Sequence, residues 1–430
     1  MDKLKNHLIG CDECGLITNV PLLSQAQTAQ CPRCGHTLTQ TPQKPYQTAV
    51  ALTISCLILL VLSLTFPFMS FSVQGMTQEI TLLNAAKMLG EFQNVLLAIL
   101  LFTTVILFPA LYITILLFVS FKAAQSIQRQ LSSSEIQRAK LLCKTLLTVQ
   151  PWLMVDVFLI GVLVSLIKIA SLAEVAMGYS FWAFCFFAML VVKTVSLVDR
   201  YWLWQHFIPA QTPQGVNAGQ THCTHNSVSC HTCQQINLLR PDQKKPTCLR
   251  CGSRLHAYHP QLNLQWAWAL LLAAIIFYIP ANLYPMMYTV SLGKSEGSTI
   301  MQGVIVLWQL GSYPVAMVIF LASIFIPMAK MFALGWLYWQ AGKLNVFPEQ
   351  QNLKRLKLYR VTEFIGRWSM IDIFVVAILV ALVQLHNLMA IYPGPAALSF
   401  AAVVILTMLS AMVFDSRILW QEPPVSHQQQ

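Results

Sequence analysis

The chain has 430 residues, 56% of them hydrophobic and only 10% charged, with 27 Lys and Arg against 16 Asp and Glu. Soluble domains carry roughly 25% charged residues, so a water-facing surface cannot be built from this composition. A soluble globular enzyme, a disordered chain and a secreted disulfide scaffold are thereby excluded as the main body, and an all-α polytopic membrane protein is expected.

A spanning helix needs about 20 apolar residues. Residues 1–46 precede the first such stretch. They are polar and carry Cys11/Cys14 and Cys31/Cys34, which points away from a cleavable signal peptide and makes the first span the insertion signal. Residues 47–204 hold four expected spans: Gln47–Ser70, Val95–Val119, Trp152–Leu172 and Phe181–Val198. Residues 205–262 are polar again, with an added stretch Gln211–Ser229 and a second set of pairs, Cys230/Cys233 and Cys248/Cys251. Four more spans are expected in residues 263–420: Leu264–Tyr288, Pro314–Trp339, Met370–Tyr392 and Ala396–Phe414. Residues 421–430, with Pro423-Pro424 and a terminal Gln run, read as a disordered tail.

Basic residues set the orientation. One side of these spans carries Lys122, Arg129, Arg138, Lys140 and Lys144 in one loop and Lys343, Lys354, Arg355, Lys357, Arg360 and Arg367 in another. The opposite loops carry Lys87 and Lys294. The positive-inside asymmetry places both termini and both Cys-bearing segments in the cytoplasm.

The chain is internally duplicated. Phe66-Pro67-Phe68-Met69 answers Tyr284-Pro285-Met286-Met287, and Pro67 to Pro109 and Pro285 to Pro327 are both 42 residues. Trp152-Leu153-Met154-Val155-Asp156-Val157-Phe158 answers Trp368-Ser369-Met370-Ile371-Asp372-Ile373-Phe374. From that Asp, a Gly stands 22 residues on in each half, Gly178 and Gly394, and the closing Asp 43 residues on. An even number of spans per half makes the repeats parallel, related by an axis along the membrane normal.

In each polar segment, two Cys-x-x-Cys turns aim four thiolates at one centre, as a tetrahedral structural zinc site requires. The plainest reading is metal that folds a segment too small for its own core. Zinc sensing or docking is a second reading, a redox dithiol a third, and iron in a rubredoxin-like site also fits the spacing. Cys56, Cys143, Cys185 and Cys223 read as ordinary small residues.

Ionisable groups inside lipid are costly and mark functional candidates. Asp156 and Asp372 lie about one turn inside the third and seventh spans, Lys168 deep in the third and Lys330 in mid-span just after Pro327. The counterpart of Lys330 is Tyr112 and that of Lys168 is Gln384. The depths of Lys330 and Asp372 allow an ion pair. The two Asp could equally cap helix N-termini, and Lys193 can snorkel to the interface.

At these residues the chain resembles the paraquat-inducible protein A (PqiA/LetA) family of bacterial inner-membrane proteins. The carriers are the paired four-cysteine ribbons, Phe66-Pro67-Phe68, Ile279-Pro280-Ala281-Asn282-Leu283-Tyr284-Pro285, Ile326-Pro327-Met328-Ala329-Lys330, Gly366-Arg367-Trp368-Ser369-Met370-Ile371-Asp372 and Asp415-Ser416-Arg417-Ile418-Leu419-Trp420. The first half departs from the fifth of these, with Gln150-Pro151-Trp152-Leu153 in place of Gly366-Arg367-Trp368-Ser369. The resemblance implies an inner-membrane location and a periplasm-spanning partner built of mammalian-cell-entry (MCE) domains. It also implies phospholipid traffic between two membranes that supports envelope integrity. Lys330, Asp372, Lys168 and Asp156 are the residues expected along such a lipid path. A metal- or stress-sensing membrane scaffold and a membrane thiol oxidoreductase are the rival readings. No Walker motif and no Ser/His/Asp or Cys/His constellation stands out, so neither ATP use nor an enzyme is expected of this chain.

Overall fold

The computed structural model describes residues 7–420 apart from 22, 25, 42–44, 74–75, 92–94, 129–131, 171–173, 212, 214, 222–226, 240–245, 256–258, 292–293, 310, 312, 344–347, 383 and 386–388. The expected tail at 421–430 and Cys223 lie outside them.

Each half lays down the same elements in the same order. In the first, Pro45–Thr65 crosses first, the hairpin Met69–Val73/Met76–Ile80 turns the chain, and the short helix Leu82–Glu91 leads into a helix that runs to Gln128. Helices Ser133–Val149 and Val155–Ala170 follow, then Glu174–Met177, Tyr179–Leu197 and the short helix Arg200–Phe207. In the second half these places are taken by Pro260–Leu283, Met287–Ser291/Lys294–Ser298, Ile300–Gln309, a helix ending at Gly342, Glu349–Trp368, Ile371–Leu382, Met389–Pro393, Pro395–Val413 and Ser416–Trp420.

Two duplicated details show why the sequence folds this way. The second span of each half widens into a π-helix immediately before its proline, at Phe102–Leu107 and at Leu321–Phe325. Proline lacks an N–H and its ring meets the carbonyl four residues back, and a wider turn makes room for it. Beyond the spans, Gly178 and Gly394 donate to the carbonyls of Phe68 and Met286 at 3.1 and 2.8 Å. A Cβ on either would sit 2.0 or 2.1 Å from the carbonyl oxygen of Pro67 or Pro285, so only glycine fits.

The structure differs from the sequence expectation in two ways. Eight spans were expected, and seven helices among the described residues are long and apolar enough to cross a membrane. The expected span Met370–Tyr392 is a helix of 12 residues, Ile371–Leu382, after which the chain becomes extended. The all-α expectation fails at the same end of the molecule. Met69–Val73 pairs with both Met76–Ile80 and Glu174–Met177, and Met287–Ser291 with both Lys294–Ser298 and Met389–Pro393. Pairing satisfies the backbone groups of a short apolar segment as a helix would, so apolar length alone does not distinguish the two.

The halves meet along their third-span helices. Gly161 on Val155–Ala170 lies so close to Ile371–Leu382 that a Cβ there would be 3.0 Å from Cβ of Phe374. One turn on, the buried Ser165 hydroxyl donates to the carbonyls of Gly161 at 2.8 Å and Val375 at 3.4 Å, and Phe158 meets Phe374 edge to face at 5.5 Å. Two small residues four apart allow the close approach that drives helix association where no water is present to be displaced.

Candidate functional site

The eight paired cysteines form two buried groups, Cys11/Cys14/Cys31/Cys34 and Cys230/Cys233/Cys248/Cys251, with the four sulfurs of each within 4.8 Å of one another. The closest sulfurs, Cys11 to Cys34 and Cys14 to Cys31, are 3.5 Å apart, as are Cys230 to Cys251 and Cys233 to Cys248. Tetrahedral zinc at about 2.3 Å from each sulfur places them about 3.8 Å apart, so the donor set fits a closed four-sulfur metal site. The turns are built for it. Gly15, Gly35 and Gly252 adopt left-handed backbone at φ +74°, +69° and +70°, and Gln234 does so at +56° where the first group has Gly15. Asn237 in addition points its amide at Cys248 Sγ, 3.5 Å away.

The first Cys₄ module docks on the ends of both halves, and the second on the end of the half that precedes it. Arg33, beside Cys34, stacks over Trp420 at 4.5 Å, and its counterpart Arg250, beside Cys251, stacks over Tyr201 at 5.5 Å. Arg250 also donates to the carbonyls of Ile208 at 2.8 Å and Cys233 at 2.9 Å. The first module is locked further through Glu13. Arg360 grips its carboxylate through Nε at 3.0 Å and through Nη2, His36 Nδ1 lies 3.1 Å from it, and Ser416 donates to the Glu13 carbonyl at 3.1 Å. Burial alone would raise the Glu13 carboxyl, but the hydrogen bonds from His36 and Arg360 outweigh it and hold the group at about 2. Glu13 in turn raises His36. Where the modules and the two halves converge, a polar cleft of about 850 Å³ opens, with Glu13, His36, Asp199, His231, Glu363 and Arg417 in its wall. Sequence reasoning missed this clamp and this cleft. The signal was an acid inside Cys11-Asp12-Glu13-Cys14, facing a basic helix more than 300 residues away.

Lys330 is 4% exposed, in the middle of a span. Its ammonium donates to Thr407 Oγ1 at 2.9 Å, and Gly366 leaves it room: a Cβ there would lie 3.2 Å from Nζ. The expected pair with Asp372 is not what holds it, since among the described residues its hydrogen bond goes to a neutral hydroxyl. Further down the same helix, Tyr338 donates to Ser410 at 2.9 Å, whose own hydroxyl goes to the Ala267 carbonyl at 2.8 Å, and Tyr359 donates to the Ala411 carbonyl at 3.1 Å. Helix Pro395–Val413 thus carries a run of polar contacts along its inner face.

The other named residues are not gathered with Lys330. Asp156 and Asp372 each stand half-buried in the first turn of a helix, where the dipole favours a carboxylate. Lys168 lies on Val155–Ala170 in the first half, and its side chain is outside the described residues. Lys193 is exposed near the end of Tyr179–Leu197. Cys56 and Cys143 are buried and Cys185 half-buried.

The sequence pattern of the paraquat-inducible protein A family matches residues 46–208 and again residues 264–423. The chain is 40% identical over 425 residues to the intermembrane transport protein PqiA of Escherichia coli strain K12, covering 98% of this chain and 97% of that protein. It is 31% identical to a probable intermembrane transport protein of Haemophilus influenzae, covering 96% of each. It is 27% identical to the lipophilic envelope-spanning tunnel protein A of Escherichia coli strain K12, covering 95% of this chain and 90% of that one. No solved structure matches it.

Proposed function

The chain belongs to the paraquat-inducible protein A family, and from that premise we propose that it is the inner-membrane component of an intermembrane lipid transport system, not an enzyme. Its relatives' names, an intermembrane transport protein and an envelope-spanning tunnel protein, support the reading. In it, the chain passes phospholipid to or from a periplasm-spanning protein of MCE domains, with the Cys₄ modules in the cytoplasm holding structural zinc.

One observation carries the reading beyond the names. Lys330 is a cation buried in mid-span whose partner is the hydroxyl of Thr407. A charge kept at that depth without neutralisation costs several kcal/mol, and it is retained where an anionic group meets it. A phospholipid has such a group, and the spans around Lys330 are predominantly apolar. In this proposal Lys330 holds the phosphate while Gly366 and Thr407 position the ammonium. Lys168, Asp156 and Asp372 would mark other stages of the path.

The test replaces Lys330 by Met and Asp372 by Asn, one at a time, and scores detergent sensitivity of the cells and photo-crosslinking of phospholipid to the span. Loss of both in Lys330→Met, with the protein still present in the membrane, is expected. Wild-type behaviour in both variants removes the proposed path.

A further inference from the structure

The two Cys₄ modules each stack an arginine on an aromatic ring, but they differ at the residue before the second cysteine. In the first, the residue before Cys14 is Glu13, and its carboxylate is held by Arg360 and by His36. Arg360 stands 12 residues ahead of Asp372, and His36 stands two residues past Cys34. The same three positions of the second module and first half are Thr232, Lys144 and Ser253. The cation is kept and the carboxylate that it would grip is gone.

A cavity of about 500 Å³ lies there. Lys144, Thr232, Ser253 and Arg254 line it, and its wall of described residues holds no Asp or Glu. Ser229, also in the wall, is 2% exposed, and its hydroxyl has no hydrogen-bond partner among the described residues. A buried hydroxyl without a partner is destabilising, and a ligand oxygen would satisfy it. Two cationic residues, both exposed, and three hydroxyl residues line it, more donor groups than the two oxygens of a carboxylate readily use. Phosphate, with oxygens on all sides, matches that set.

We propose that this cavity is an anion site for a phosphate group, standing where the second module lacks the internal carboxylate of the first. Lys144 and Arg254 supply the charge, and Thr232 and Ser229 donate hydrogen bonds. The phosphate is either a soluble ion or ester or a phospholipid headgroup at the membrane surface. The site is separate from Lys330 and does not depend on the transport reading.

The experiment uses the full-length, metal-loaded chain and inorganic phosphate as the probe, read by ³¹P line broadening in a phosphate-free detergent. Wild type is expected to bind, and Lys144→Ala and Thr232→Glu to weaken binding by about tenfold or more, the loss typical of one charge-assisted contact. Thr232→Glu returns the carboxylate that the first module tolerates, so its fold is secure, and retained metal at both Cys₄ groups checks this. The reverse change, Glu13→Thr, is expected to add a second phosphate equivalent beside Arg360. Repeating the wild-type measurement in phosphatidylglycerol nanodiscs separates the sources. Persistent binding identifies a soluble phosphate, and loss of the probe that Thr232→Glu shares identifies a headgroup already in place. Absence of binding in wild-type micelles, or binding unchanged in both Lys144→Ala and Thr232→Glu, overturns the proposal.

Discussion

Tyr112 and Lys330 occupy the same place in the two halves, three residues beyond the proline that follows a π-helix, and both are buried. Around Lys330 the second half has Thr407 and Gly366, and the corresponding positions of the first half hold Val191 and Gln150. Three differences between the repeats therefore fall on one spot in space. The frame is conserved between the halves down to the two glycines that admit no Cβ, while the buried lysine at this spot is in one of them. Duplication supplied two copies of a scaffold, and the lysine at this position, bonded to Thr407, was placed in one.

The modules are the part where both copies should respond equally and most strongly. Cys14→Ser or Cys233→Ser is expected to abolish metal at the altered group alone, halving the metal measured per chain. A structural zinc contributes about 10 kcal/mol or more to the folding of its segment, so the altered module should become protease-sensitive. Next come the glycines. Gly178→Ala and Gly394→Ala each force a Cβ into a carbonyl and are expected to cost a similar amount, about 3 kcal/mol or more, read as lost thermal stability in detergent. Tolerance of one and not the other would break the equivalence of the halves.

The polar spot should behave asymmetrically. Thr407→Val strips the partner from a buried ammonium and is expected to cost about 1–3 kcal/mol, whereas the opposite-half change Val191→Thr should cost less than that. Lys330→Met replaces the charge by an apolar chain of similar length and is expected to be near neutral or stabilising while it removes transport. Smaller losses than that of Thr407→Val fall on the stacked arginines. Arg33→Ala is expected to cost about 0.5–1 kcal/mol for its contact with Trp420. Arg250→Ala should exceed it, since Arg250 also bonds the carbonyls of Ile208 and Cys233. Equal losses would mean that stacking alone holds the second module.

Much of this was legible beforehand. Equal intervals between Pro67 and Pro109 and between Pro285 and Pro327 announced the duplication, and the Cys-x-x-Cys spacing announced both four-sulfur groups, because each is local or periodic. The strands Met69–Val73 and Met287–Ser291 were hidden because apolar residues beside a span read as more span. The Lys330–Asp372 pair was expected from depth alone. Depth says nothing of which helix lies alongside, and Pro395–Val413, carrying Thr407, is the helix whose hydroxyl takes the ammonium.

Composition, charge asymmetry, repeat interval and cysteine spacing determined, without any coordinates, that this is a duplicated membrane protein with two metal-competent modules and a lysine in mid-span. Each of those follows from the burial cost of a residue type or the reach of a short turn, and neither needs a distant partner to be known. The tertiary structure alone decided that the third-span helices meet at Gly161 and Phe374, that the first module docks on the ends of both halves and the second on the end of the half before it, and that Gly366, Lys330 and Thr407 come together. Those contacts join residues tens to hundreds of positions apart, and only the packing of complementary surfaces selects among the pairings that the same residues would permit.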